Sequence, residues 1–193
     1  MAYLTASSAK SRDPRLADLD DDAVTAQIAA FTDIAERYRG VPFESTTATA
    51  VKVHGHYGCK LITPQNHVKI ISLSAASLDG TALTSDELAD VTIWSEWGVF
   101  ERAAGWSATQ VSLTYTYGYA TTPAAILDAC TEYVLCVLRA RQSGVSRNTL
   151  SEATDAGTTR YSTPDWSAGR PTGWLEVDRL LNSLPDYRTP GIA

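Results

Sequence analysis

The sequence predicts an α+β fold: a small helical bundle of two long helices plus a short C-terminal helix, with an inserted antiparallel β meander and an extended C-terminal arm. Three observations carry this. Apolar residues recur at helical spacing over residues 22–38 and again after Pro123. Between them, over about residues 46–119, the period changes to the alternation of strands. Residues 145–172 then show neither period, which is unusual inside a compact domain. Residues 1–144 therefore read as a helical core with a β-rich insertion, and 145–193 as an arm with a short helix at 173–184.

Taken in order, residues 1–20 are polar and read as irregular. A helix follows over 22–38, with Asp21 and Asp22 suited to its positive end. Val24, Ile28, Phe31, Ile34, Ala35 and Tyr38 form one apolar stripe; Gly40 stops the helix and Pro42 prevents its continuation. "TTATAVKVHG", "CKLITP", "HVKIISLSA", "VTIWS", "GVFER" and "TQVSLTYTYGY" read as strands of a meander of about five or six, an ordinary sheet size. "LDGTAL" reads as a tight turn. In the last strand Val111, Leu113, Tyr115 and Tyr117 share one face and Ser112, Thr114 and Thr116 the other, so one side is buried. The second long helix takes Thr122 as cap and Pro123 in its first turn, and runs toward Gly144. Its stripe of Ile126, Ala129, Cys130, Tyr133, Val134, Val137 and Leu138 needs a partner, for which the first helix is the obvious choice. Trp174, Val177, Leu181 and Leu184 line one side of the third helix, which Pro185 ends.

Composition narrows the function classes. Of 193 residues 44% are apolar and 20% charged, as in a globular protein rather than a disordered one. A formal net charge of −6 argues against tight binding to a phosphate backbone. "MAYLTASSAKSRDP" lacks the apolar core of a signal peptide, and the run from Pro123 to Leu138 is interrupted by Asp128 and Glu132, so no membrane association is expected. Cys59, Cys130 and Cys136 make an odd count without framework spacing, which points to a reducing cytoplasm.

Few residues carry chemistry. "VHGHYGCK" places His54, His56 and Cys59 close together, with His67 as a possible fourth ligand of a metal. The competing reading is a hairpin tip, with Gly55 and Gly58 permitting the reversal; it is favoured because strong zinc motifs pair two ligand doublets at fixed spacing. No G-x-S-x-G and no phosphate-cradling loop is present, and Cys130 and Cys136 fall on a packing helix, so neither catalysis nor a cofactor is expected. Asp18, Asp20, Asp21 and Asp22 read as a solvated helix start rather than a cation loop. Of five tryptophans, Trp94, Trp97 and Trp106 fall in the meander, where core packing is the first expectation. Trp166 falls in the unperiodic arm and Trp174 beside it, as aromatic anchors that dock on a partner would.

The order of elements, with "AERYRGVPFE" at 35–44, "VSLTYTYGYATTP" at 111–123 and "GRPTGWLEVDRLL" at 169–181, resembles the head–tail adaptor, or head-to-tail connector, proteins of long-tailed bacteriophages. The likeness runs from about Ile28 to Leu184; at Tyr117 the family pattern often has a charged residue or His instead. It implies a structural virion protein of the neck, made in the bacterial cytoplasm. Such a protein assembles as a ring, twelvefold by the symmetry of the portal above it. The ring extends the DNA channel and is the platform for the stopper, or head-completion, protein. DNA passes the lumen without sequence-specific binding. The C-terminal segment contacts the portal in such proteins, which makes Arg160, Tyr161, Trp166, Arg170 and Trp174 the portal-facing residues implied here. The alternatives are another neck or tail component, a stopper or tail terminator, or a small metal-binding protein or enzyme using His54, His56 and Cys59.

Overall fold

The structure, a computed structural model, describes residues 3–54, 58–64, 67–143, 151–154, 157–160 and 169–187. In chain order its elements are α1 (Ala6–Arg12), a 3-10 turn (Pro14–Leu16), α2 (Asp21–Arg39), β1 (Thr46–His54), β2 (Lys60–Ile62), β3 (Ile70–Leu78), β4 (Thr81–Ala82), α3 (Ser85–Ala89), β5 (Val91–Trp94), a second 3-10 turn (Ser95–Trp97), β6 (Val99–Arg102), β7 (Gln110–Tyr117), α4 (Ala124–Gln142), β8 (Ser151–Thr154), β9 (Gly157–Arg160) and α5 (Leu175–Asn182). The chain is a mixed α+β protein with antiparallel sheets. It divides into two compact units: Met1–Tyr38 with Pro123–Pro185, and Arg39–Thr122 with Asp186–Ala193.

The first unit is helical apart from the β8–β9 hairpin. Its N-terminal segment is not irregular, as the sequence suggested. Thr5 caps α1 by accepting from Ser8 N at 3.1 Å, and Asp13 accepts from Arg15 N at 2.9 Å to start the 3-10 turn with Pro14 in its first position. These short elements bury Ala9 and Leu16 completely. In α2, Asp20 accepts from Ala23 N at 2.9 Å, and Val24, Ile28, Phe31 and Ala35 are buried. In α4 the whole expected stripe is buried, and Phe31 meets Tyr133 with ring centroids 5.5 Å apart. Thr122 does not cap α4: Pro123 holds the N-cap position, and no side chain caps there. α5 packs on α4 through buried Val177 and Leu181. The stretch 145–172, read as lacking regular structure, contains β8 paired antiparallel with β9; Gly144 lies outside the described residues.

The second unit holds two sheets, ordered β1-β7-β3-β4 and β2-β6-β5. In a meander neighbours follow one another in sequence; here the central strand of the larger sheet is the last of its four. β7 occupies that place by pairing with β1 on one side and β3 on the other, and its Val111, Leu113, Tyr115 and Tyr117 are all buried. With Phe100 and Leu61 from the smaller sheet and Trp106 from the connection between β6 and β7, they belong to the unit's core. Asp79 and Gly80, both at positive φ (47° and 88°), make the two-residue turn between β3 and β4 that "LDGTAL" predicted. The stretch "VHGHYGCK" is not a hairpin: β1 pairs with β7 and β2 with β6, so it carries the chain from one sheet to the other. Residues 55–57 lie outside the described residues, and Gly58 is not at positive φ. Gly98 is where glycine is required. Its φ is 62°, and an added Cβ would lie 2.5 Å from Thr63 Oγ1 and 2.9 Å from His67 O.

Candidate functional site

The segment "GRPTGWLEVD" is where the implied partner-facing residues can be followed in detail. Gly173, at φ 77°, turns the chain into α5, and Trp174 takes the N-cap position with an extended backbone. Trp174 has no side-chain oxygen to cap with, and no side chain caps the helix start; the turn before it is what a residue of α5 holds. Side chains on a helix tilt toward its N-terminus, and Asp178 reaches back past its own turn. Its Oδ1 accepts from Thr172 N at 3.0 Å and from Thr172 Oγ1 at 2.7 Å. Thr172 Oγ1 in turn accepts from Trp174 N at 3.2 Å. A carboxylate near the positive end of a helix is also favoured by the helix dipole. Asn182, at the far end of α5, donates to Gly169 O at 2.9 Å and accepts from Tyr38 Oη at 2.7 Å.

Among the described residues, two polar atoms here have no hydrogen-bond partner. Asp178 is 2% exposed and its Oδ2 makes no hydrogen bond; the half-buried Trp174 leaves its Nε1–H equally unmet. Native interiors satisfy nearly all such groups. Beside them Leu175 stands 55% exposed. Arg170 is half-buried just before the turn. Arg160 is the last residue of β9, while Tyr161 and Trp166 lie outside the described residues. The structure therefore places Arg170 and Trp174 in one turn-and-helix segment. Asp178 and Thr172, which organise that segment, were not singled out from sequence.

The described chain ends on a second polar cluster, within the β-rich unit. Tyr187 N donates to Arg39 O at 2.9 Å, and Tyr187 Oη donates to Glu96 Oε2 at 2.6 Å. Lys69 pairs with Glu96 at 3.1 Å and lies 4.4 Å from the centre of the Tyr119 ring and 5.8 Å from that of Tyr187. Burial, reinforced by the bond to Glu96, pushes the Tyr187 phenol above its ordinary value.

The candidate metal ligands are dispersed in character. His54 closes β1, His56 lies outside the described residues, and Cys59 is exposed, with Sγ 3.8 Å from Ala103 O. His67 is engaged elsewhere: its Nδ1 lies 2.5 Å from Tyr115 Oη and its ring stacks on Tyr117 at 4.2 Å. Burial holds the His67 imidazole below its ordinary pKa. Among the described residues no three His, Cys, Asp or Glu side chains are grouped to hold a metal ion. Burial pushes the Cys130 thiol up to about 12, and burial with the nearby Glu132 carboxylate pushes Cys136 up to about 11, so both stay protonated at neutral pH.

An open cleft in the helical unit is lined by Arg12, Asp13, Asp128, Thr131 and Glu132. Its charges already serve one another. Arg12 meets Asp128 at 2.6 Å, and Arg15 meets Asp13 at 2.7 Å and Glu132 at 3.0 Å. The hydrogen bond from Arg15 holds the Asp13 carboxyl below the usual range. Exposed pairs of this kind contribute little each, about 0–1 kcal/mol. No helix among the described residues is long and apolar enough to cross a membrane. No family model matches the chain, and no curated protein matches its sequence significantly.

Proposed function

We propose that the chain is a structural virion protein of the bacteriophage neck, the head–tail adaptor, which forms a ring beneath the portal and carries no chemistry of its own. The observation that supports this best is the start of α5. The segment that the family likeness assigns to the portal carries a half-buried tryptophan with an unmet N–H and, next to it, an exposed leucine. A buried aromatic anchor flanked by apolar surface is the usual centre of a protein interface. The arrangement proposed is the family's: a helical bundle interrupted by a β-rich insertion, with the C-terminal segment as the portal-binding arm. The acidic balance agrees with a lumen through which DNA slides, because a basic one would grip phosphates.

Electron microscopy of purified virions tests the assignment. The expected result is density for this chain between portal and tail; particles whose neck lacks it sink the idea. Pull-down on isolated portal separates the adaptor from a stopper, since a stopper binds only after an adaptor is in place. Within the adaptor reading, Leu175→Glu is expected to weaken portal capture at least tenfold, the loss typical of charge placed in an interface core. It leaves the fold intact because the side chain is solvent-facing.

A further inference from the structure

The smaller sheet has one edge whose hydrogen-bonding groups stand ready for another strand. In the β2–β6 ladder Thr63 N donates to Gly98 O at 2.9 Å and Arg102 N donates to Cys59 O at 2.8 Å. Between them the register pairs Lys60 with Glu101, Leu61 with Phe100 and Ile62 with Val99. Antiparallel pairs alternate between bonded and unbonded. Thr63–Gly98, Leu61–Phe100 and Cys59–Arg102 are thus the bonded pairs, and the N–H and C=O of Lys60 and Ile62 point away from β6. β2 is outermost on that side, so among the described residues no strand meets those four groups.

Folds blunt such edges with bulges, charge or cover. The larger sheet does so, with bulges in β1 and β3. β2 is regular over its three residues, and of its two outward side chains only Lys60 is charged; the other, Ile62, is 68% exposed. Val99 and then Trp94 follow Ile62 in register across the same face, and Trp94 is 46% exposed. An apolar row therefore runs out to the open edge.

We propose that β2 is a self-association edge: two copies of this chain pair their β2 strands antiparallel about a two-fold axis, with Lys60 of each opposite Ile62 of the other. Leu61 then faces Leu61 across the axis, and the four outward groups of each copy meet those of its mate in four hydrogen bonds. The neighbouring registers that keep the same groups facing each other both fail. One sets Lys60 directly opposite Lys60, a like-charge pair. The other sets Lys60 opposite Pro64, which has no N–H to donate. The sequence K-L-I-T-P thus selects a single register with itself. Three-residue strands bury far less than the ~1,200 Å² total of a stable interface, so the association is weak. A two-fold contact closes at two copies and is separate from the head-to-tail contact of a ring. The proposal does not rest on the neck assignment.

Sedimentation equilibrium of the full chain tests it, over roughly 10 μM to 1 mM, the range in which weak pairs form. The expected result is a mass that climbs toward twice that of the subunit. Ile62→Lys puts Lys opposite Lys60 in both halves of the pair and moves the association curve about tenfold higher in concentration. Its exposed position leaves the circular dichroism unchanged. Adding Lys60→Glu to Ile62→Lys restores opposite charges across the axis and brings association back. A wild type that stays monomeric throughout overturns the proposal. So does an Ile62→Lys variant that associates as the wild type does, or a double variant that fails to recover. None of these results bears on virion location, which microscopy of the neck decides separately.

Discussion

Asp178→Ala perturbs the start of α5 at its centre. The substitution removes the acceptor of two hydrogen bonds, from Thr172 N at 3.0 Å and from Thr172 Oγ1 at 2.7 Å. Bonds to a charged acceptor contribute about 1.5–3 kcal/mol each, so their gross loss is about 3–6 kcal/mol. Part of this is offset. The carboxylate is 2% exposed and its Oδ2 has no partner, so deleting it also removes a desolvation penalty. The net expectation is a destabilisation of about 2–4 kcal/mol, in the range of other broken buried networks. Asp178→Asn keeps the Oδ1 acceptor and the shape while removing the charge, and is expected to cost under about 1 kcal/mol. Urea unfolding followed by tryptophan fluorescence gives the two values. Amide exchange at Thr172 locates them: its N–H should exchange fast in the Ala variant and stay protected in the Asn variant. Equal costs for Ala and Asn would refute the reasoning, because the contribution would then belong to Oδ2 and a donor on it rather than to the bonds at Oδ1.

Three other substitutions test neighbouring arguments. Gly98→Ala combines a φ of 62° with a Cβ 2.5 Å from Thr63 Oγ1, and should lower the unfolding free energy by about 2 kcal/mol or more in the same urea assay. His67 is held neutral by burial, with its folded pKa below its unfolded value of about 6.5. Its contribution is therefore complete above pH 6.5 and is lost as pH falls toward the folded pKa, because the unfolded chain takes up the proton first. Replacing His67 by Asn keeps a hydrogen-bonding group toward Tyr115 and should flatten the fall in melting temperature between pH 7 and 5; an unchanged slope would assign the fall to carboxylates alone. Trp174→Phe removes a buried N–H that has no acceptor, so calorimetry should find stability unchanged within about 0.5 kcal/mol or slightly raised, unlike an ordinary truncation of a packed aromatic.

What the sequence disclosed follows from which signals are local. The stripes of α2 and α4 were readable because each repeats over five turns and every repeat faces a core. α1 and α3 escaped the same test because α1 buries Ala9 alone and α3 buries nothing, so neither has a stripe. A different local signal was available for α3. Thr84 and Glu87 form a capping box, with Glu87 N donating to Thr84 Oγ1 at 3.3 Å and Thr84 N donating to Glu87 Oε2 at 2.9 Å, and "TSDE" spells it out. Strand partners are another matter. The alternation in β7 announces one buried face but is the same whether a strand has a neighbour on one side or on both. The order β1-β7-β3 lies in backbone pairings between residues far apart in the chain, which no local pattern records.

The two stretches that drew attention as candidate sites separate on the same ground. "VHGHYGCK" looked like a hairpin because paired glycines between two alternating runs mark a change of direction. A reversal within one sheet and a crossing to another leave the same local trace, and the partner strands β7 and β6, far along the chain, decide between them. At "PTGWLEVD" the tryptophan was conspicuous and the aspartate was not, although the aspartate organises the turn. Its bonds span six residues and leave the helix, so no i, i+3 or i, i+4 pattern contains them. They follow instead from the tilt of helical side chains toward the N-terminus, applied to an acid one turn inside a helix whose cap position holds Trp. A Trp at the cap position offers no oxygen to the first-turn N–H groups, and Asp178 does not meet them either: it passes over the first turn to hold Thr172, two residues before the cap.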